Sequence, residues 1–230
     1  MTPFTVSTLQ AAEQNQDAYN LGWKLSFVLN GFASPALLQS YTEERQPVVN
    51  NIMHQAFSRY VNRVAEDKTI PHDKELPDII CELGYRYVRG ALIPSSSVNA
   101  SKAWEDPHHP SVIAGSRIPH VSLVDVSRND EALSTLDLVR RTFVLIAVDQ
   151  TSPWVDAAKS QRVPVDAYII CENSTPIRDL GGRFQELCKI EKGEAILIRP
   201  DGHIAWRGVV KNLDPDTTLK TVLKQVLCMF

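Results

Sequence analysis

Phe143-Val144-Leu145-Ile146-Ala147-Val148 and Val165-Asp166-Ala167-Tyr168-Ile169-Ile170-Cys171 decide the fold class. Both runs are apolar and rich in β-branched residues, and each is followed by a polar stretch long enough for a helix. Apolar runs alternating with helical stretches predict a parallel-rich sheet covered by helices. Two short segments bracket them: Gly115-Ser116-Arg117-Ile118-Pro119-His120 in front, and Arg199-Pro200-Asp201-Gly202-His203-Ile204-Ala205-Trp206-Arg207 behind. The start of the rear segment reads as a hairpin turn. Proline sets φ, Asp can close a local turn, and Gly takes the positive φ before a strand at 204–206.

Outward from this centre, the C-terminal half predicts a strand at 121–124 and a turn or short helix at 134–137. Helices follow at 153–160 and 179–188, and a strand at 195–198 pairs with 204–206. A last helix opens on Asp214 as N-cap with Pro215 at N1. The order β-α-β-α-β-β-α is that of a thioredoxin-like domain. In the N-terminal half, Asp17 stands as N-cap of a helix ending at Asn30-Gly31, and Ser34-Pro35 opens a second one. Pro47 is expected to kink or split that second helix. Residues 66–78 read as a loop, 76–83 as a short helix, and the Pro- and Ser-rich 94–110 as a linker. The fold class is therefore α/β (α+β overall). A helical part, 1–110, is followed by a thioredoxin-like domain, 111–230, without redox cysteines.

With 24 Lys and Arg against 27 Asp and Glu, the net charge is −3, and neither half is basic. That argues against nucleic acid or an anionic membrane as partner. No apolar run reaches the ~20 residues that span a bilayer, and the N-terminus lacks a signal peptide's pattern, so a cytoplasmic location is expected. Cys81, Cys171, Cys188 and Cys228 are widely spaced without Cys-x-x-Cys and read as buried thiols. His108-His109 lies between prolines without ligand-spaced neighbours, so no metal site is expected.

Four segments resemble the phenol hydroxylase-like family of FAD-dependent aromatic monooxygenases. Asp17-Ala18-Tyr19-Asn20-Leu21-Gly22-Trp23-Lys24-Leu25 is similar to that family's D-A-x-N-L-x-W-K-L helix. Leu37-Leu38-Gln39-Ser40-Tyr41-Thr42-Glu43-Glu44-Arg45-Gln46-Pro47-Val48 is similar to its L-L-x-S-Y-x-x-E-R-x-P-V segment. The two bracketing segments resemble its G-x-R-A-P-H and R-P-D-G-x-x-A-W-R signatures. The resemblance covers only the family's C-terminal portion. It implies a thioredoxin-like C-terminal domain that serves dimerisation. The family's glycine-rich dinucleotide loop does not occur here, and its flavin-side Gly-Met-Asn aligns with Gln10, Ala11 and Ala12. The expectation from the resemblance is a truncated homologue with no cofactor of its own, FAD belonging to the full-length family.

Two functions were in balance on this reading. One is a flavin-independent isomerase, cyclase or dehydratase acting on a small phenolic or polyketide-like molecule. The other is a non-catalytic partner of a full-length monooxygenase; an FAD-dependent hydroxylase stands behind both. The expected pocket lies against the N-terminal helices. His54, Arg45 and Tyr85 are its candidate catalytic groups, and Tyr19, Trp23, Arg86 and Tyr87 its candidate substrate contacts, since together they combine aromatic faces with proton-transfer and anion-holding groups. His120 reads as structural. A helical stripe of Leu21, Leu25, Val28, Leu37, Ile52 and Met53 is expected to face water, which predicts a homodimer or a heterodimer with a larger relative.

Overall fold

The computed structural model describes residues 4–94, 102–173, 176–209 and 214–230, with the side chains of 4–14 and of Val209 outside the description. The chain is a mixed α/β structure with two sheets. The main sheet has the order β4-β3-β6-β7, formed by β3 (Phe143–Ala147), β4 (Val165–Ile169), β6 (Glu194–Ile198) and β7 (Ile204–Val209). Only β3 and β4 run parallel; β3–β6 and β6–β7 are antiparallel, so the sheet is mixed rather than parallel-rich. The β6–β7 pairing follows from the tight turn at Arg199–Gly202, where Gly202 has φ +82° and its N–H bonds the Arg199 carbonyl at 2.9 Å. A turn this short can only return an antiparallel strand.

Strand β3 is buried from end to end, and its residues alternate between two cores. Phe143 and Leu145 face one side, with Trp154 of α5 (Pro153–Lys159) and Leu219 and Leu223 of α7 (Pro215–Val226). Val144 and Ile146 face the other, with Phe184 and Cys188 of α6 (Arg183–Cys188) and Leu123 of β1 (Ser122–Asp125). A second sheet, β2-β1-β5, adds β2 (Glu131–Ser134) and β5 (Ile177–Arg178). Sequence reading missed both strands. They are two and four residues long and mostly unburied, so they carry no hydrophobic period. Between β2 and β3 the short helix α4 (Thr135–Leu138) is closed by a capping box from Ser134 and Asp137.

The first N-terminal helix is longer than expected. Helix α1 runs Phe4–Leu29, so Asp17 is an interior residue and not a cap. The Gln- and Ala-rich stretch before it holds no Pro or Gly to stop a helix. Ser34 does cap, accepting from Ala36 N, ahead of a 3-10 turn at Pro35–Leu38. Helix α2 (Gln39–Arg63) passes through Pro47 unbroken; Pro47 is exposed, where the carbonyl it leaves unpaired can meet water. A short α3 (Asp78–Leu83) follows.

These helices pack on the main sheet. Trp23 and Phe27 meet Phe143 edge-on, at 5.7 and 5.4 Å between ring centres. The larger core therefore runs across residue 110, with Trp23, Phe27, Leu37 and Ala91 joining β3, α5 and α7. The expected water-facing stripe is corrected accordingly: Leu37 and Ile52 are buried and Leu21 and Val28 half-buried, while Leu25 and Met53 stay exposed. No helix among the described residues is long and apolar enough to cross a membrane.

Candidate functional site

The four recognisable segments converge on one buried cluster of charged and aromatic groups. Glu44, on the inner face of α2, is its centre. Its carboxylate accepts from Lys24 Nζ at 2.8 Å, from Asn20 Nδ2 at 2.6 Å, and from Arg199 Nη1 and Nη2 at 2.7 and 2.8 Å. It also accepts from the Ala91 backbone N–H at 2.7 Å. Arg199 at the end of β6 reaches on to Asp201 through Nε at 3.0 Å and through Nη2. Asp201 in turn accepts from Trp23 Nε1 at 3.1 Å. Two cations thus face two carboxylates, and the side chains of Lys24, Glu44 and Arg199 are wholly excluded from water. A bidentate Arg–carboxylate pair is the geometry that best offsets the desolvation of such charges.

Local structure explains the positions. Asn20, Trp23 and Lys24 lie three and four apart on one face of α1. Glu44 and Arg45 are neighbours on α2, so they point in diverging directions. Arg45 turns to Asp17 Oδ1 at 2.7 Å and lies over the Tyr85 ring at 5.2 Å. Arg199 sits between the faces of Trp23 and Tyr87, at 5.2 and 5.1 Å. The turn that holds Arg199 and Asp201 also delivers His203, which stacks on Tyr87 at 4.3 Å and on Tyr85 at 5.4 Å. The front segment braces this turn: Gly115 N–H bonds the Ile204 carbonyl at 2.8 Å, and Arg117 bridges His203. Gly115, at φ +90°, could carry no side chain, since a Cβ would lie 1.8 Å from the Tyr87 carbonyl oxygen.

Burial sets the protonation states. It lowers Lys24 to about 8, against the pull of Glu44. Burial works against the Glu44 and Asp201 carboxylates, yet Arg199 keeps both ionised, Glu44 below and Asp201 well below the usual range. Burial drives His203 down to about 4. Its Nδ1 stands 3.6 Å from Asp201 Oδ1, beyond hydrogen-bond reach, and neither ring nitrogen has a hydrogen-bond partner among the described residues. Burial likewise raises the Tyr85 phenol and carries Tyr87 well above 10.

Of the sequence-derived candidates, Trp23, Arg45, Tyr85 and Tyr87 come together here. Tyr87 OH lies 3.5 Å from Arg45 Nη1, and Tyr85 OH donates to Gln16 at 2.8 Å. The other three sit elsewhere. Tyr19 is 66% exposed, on a surface cleft of about 520 Å³ that it lines with Trp23, Arg140, Arg141 and Pro200. His54 is exposed on the far side of α2, 3.8 Å from Asp73, in a cleft of about 610 Å³. Arg86 is buried and points to Glu105 at 3.7 Å. Sequence reading missed Lys24, Glu44, Arg199, Asp201 and His203 as one site. The signal was limited to charged residues standing in each motif, and contact between them cannot be read along a chain.

Residues 111–228 match the family model described as aromatic-ring hydroxylase, C-terminal, and residues 15–56 match one described as FAD binding domain. A 4-methyl-5-nitrocatechol 5-monooxygenase from Burkholderia is 39% identical over 93% of this chain and 39% of its own length. A tetracenomycin B2 monooxygenase-dioxygenase from Streptomyces olivaceus is 34% identical over 92% of this chain and 38% of its own. Among solved structures, aklavinone-11 hydroxylase with FAD and aklavinone superposes with a TM-score of 0.82 at 33% identity, over 92% of this chain and 39% of that one. The chain thus spans about two fifths of the length of the relatives it matches.

These matches overturn two expectations. A flavin-independent isomerase, cyclase or dehydratase is set aside, because the relatives are named monooxygenases and hydroxylases and part of the chain matches an FAD-binding domain. The expectation of no cofactor falls on the same match and on the FAD held in the aklavinone-11 hydroxylase structure. The matched segment spans the end of α1 and most of α2 and holds no glycine-rich loop. Its own residues do not form a dinucleotide cradle. The glycines of 15–56 are Gly22, in mid-helix, and Gly31, which ends α1 at φ +72°. Neither makes the strand-to-helix turn that brings backbone N–H groups to a pyrophosphate. Gln10, Ala11 and Ala12 are helical, with side chains outside the description. With just over half its length matched by that family's C-terminal model, the chain belongs to the aromatic-ring hydroxylase family.

Proposed function

We propose that this chain works in FAD-dependent hydroxylation of an aromatic ring, with a small phenolic or polyketide-like molecule as substrate. One observation carries the reading: the buried cluster around Glu44 and Arg199 joins the segment matched to an FAD-binding domain to the segment matched to the hydroxylase C-terminal domain. In this reading 1–110 is the helical part belonging to the flavin side. Residues 111–230 form a thioredoxin-like domain without redox cysteines, for which the run β3-α5-β4-α6-β6-β7-α7 is the support. That domain serves dimerisation, with a second copy or a larger relative, and the protein works in the cytoplasm. Arg45 and Tyr85, backed by Trp23 and Tyr87, are the groups we assign to an aromatic ligand; the stacking of Arg45 on Tyr85 supports this. Tyr19 shares a surface cleft with Trp23 and Arg86 one with Glu44, while His54 lines a third; these three would enter where a partner surface completes the clefts.

The test is turnover. Purified protein is given FAD, NADPH, oxygen and a panel of phenols and anthracyclinones, and products are read by mass spectrometry for one added oxygen atom. No added oxygen atom on any member of the panel, with a folded and FAD-loaded protein, refutes the hydroxylase reading.

A further inference from the structure

Gly22 stands inside α1, where glycine is the poorest helix former after proline. Packing does not account for it, because a Cβ there would meet nothing within 4 Å. The room it leaves is part of the cleft of about 520 Å³ between α1 and the C-terminal half, a volume within the ~300–1,000 Å³ of small-molecule sites. Tyr19, one helical turn earlier, lines that cleft with its side chain exposed, and Trp23 and Pro200 line it as buried groups. Arg140 and Arg141, from the segment ahead of β3, complete it. Both arginines are exposed, and neither has a carboxylate within ion-pair reach among the described residues. Arg140 is steadied by its Nε, which donates to the Asp137 carbonyl at 3.0 Å. The acids close by are engaged elsewhere: the Asp137 carboxylate accepts from Ser134 N–H at 2.7 Å, and Asp201, bonded to Trp23, is held by Arg199. The cleft therefore joins unbalanced positive charge to aromatic faces and an open glycine floor.

We propose that this cleft binds an aromatic anion, a planar ring carrying a carboxylate or phosphate group. The ring lies over Gly22 against Tyr19 and Trp23, and the anionic group meets Arg140 and Arg141. A guanidinium presents paired donors that match two oxygens of either group. A flat ring supplies the broad contact for which the glycine leaves room. A neutral ring would leave both arginines unanswered, and a bare anion would leave Tyr19 and the floor uncovered. The site goes beyond the hydroxylase reading and does not depend on it: the cleft takes its ligand whether or not the chain oxidises one.

The experiment titrates the full 230-residue chain with salicylate and with adenosine monophosphate, by calorimetry and ligand-observed NMR. Phenol and adenosine are the controls without the anion, and acetate and inorganic phosphate those without the ring. The expected result is that one or both aromatic anions bind at least tenfold more tightly than their controls. Preference for salicylate assigns the site to aromatic acids and preference for the nucleotide assigns it to nucleotides; either upholds the proposal. Arg140→Gln/Arg141→Gln should lose at least tenfold in affinity with the melting midpoint unchanged. Gly22→Leu fills the floor and should lose as much, while its midpoint holds or rises. The proposal is overturned if neither anion outbinds its controls, or if either variant, folded by circular dichroism, binds as tightly as the unmodified chain. A midpoint that falls with Gly22→Leu overturns it too, because the fold itself then requires the glycine. Hydroxylation of the phenol panel bears on none of these outcomes, so the site and the hydroxylase reading fail separately.

Discussion

Replacing Glu44 by Gln removes the anion on which the buried cluster turns. The variant keeps the size of the side chain and an oxygen for the Ala91 N–H, but it leaves Lys24 and Arg199 facing Asp201 alone. Lys24 and Arg199 are fully buried, so one positive charge stays uncompensated out of water. Breaking a buried pair from one side costs about 3–5 kcal/mol, a large part of the roughly 5–15 kcal/mol that holds a domain folded. At about 2–4 °C per kcal/mol for a chain of this size, the midpoint should fall by about 6–20 °C. Adding Lys24→Met rebalances the cluster, leaving one Arg199–Asp201 pair, and should restore most of the loss. Alkaline pH should do the same without a second substitution. The Lys24 ammonium, already lowered by burial to about 8, loses the Glu44 attraction that opposed the shift. Between that lowered value and its ordinary 10.5 the unfolded chain binds more protons than the folded one. Stability of the variant therefore rises with pH through this window. Urea unfolding at pH 7 and pH 9.5 of the four proteins in the Lys24/Glu44 cycle measures the coupling. A loss below about 1 kcal/mol for Glu44→Gln, or no recovery with Lys24→Met, would refute the view of the cluster as a charge-balanced clamp.

Other outcomes are fixed by single positions. His203 titrates near 4 when folded and at 6.5 when unfolded, so the unfolded chain binds the extra proton between those values. Stability should fall as pH drops through that window, by up to about 3 kcal/mol, and His203→Gln should flatten the slope in urea titrations at pH 7, 5.5 and 4.5. Gly115→Ala meets the Tyr87 carbonyl at 1.8 Å with φ at +90°, a backbone clash that cannot relax cheaply; a cost above about 2 kcal/mol is expected in thermal melts. Gly22→Ala places its methyl in open space on α1 and should stabilise by up to about 1 kcal/mol; a lower melting midpoint would contradict the open face of that helix.

How much was legible follows from what each element announces locally. The buried run at β3, the Asp214-Pro215 start of α7 and the Arg199–Gly202 turn were all readable, because composition, cap and turn chemistry lie within a few residues. The continuity of α2 through Pro47 was not, since it depends on what surrounds an exposed carbonyl. Nor were β2 and β5, whose pairing with β1 is tertiary. Burial of Leu37 and Ile52 was hidden for a like reason: it depends on surfaces more than thirty residues away in the chain.

The candidate site shows the same division more sharply. Each of the four recognisable segments was weak alone, and each held at least one charged residue. Their reason is joint. The first supplies Asp17, Asn20, Trp23 and Lys24, the second Glu44 and Arg45, the third the glycine that lets Tyr87 approach, and the fourth Arg199, Asp201 and His203. A buried charge tolerates only a partner of opposite sign at hydrogen-bond distance, so no one of these residues can change without stranding another. The spacing of the motifs along the chain is thus set by a single cluster in space, which is why family membership could be read from them. It is also why side chains read one at a time, Arg45 as a catalytic candidate and Trp23 as a substrate contact, have charge or ring partners in the interior.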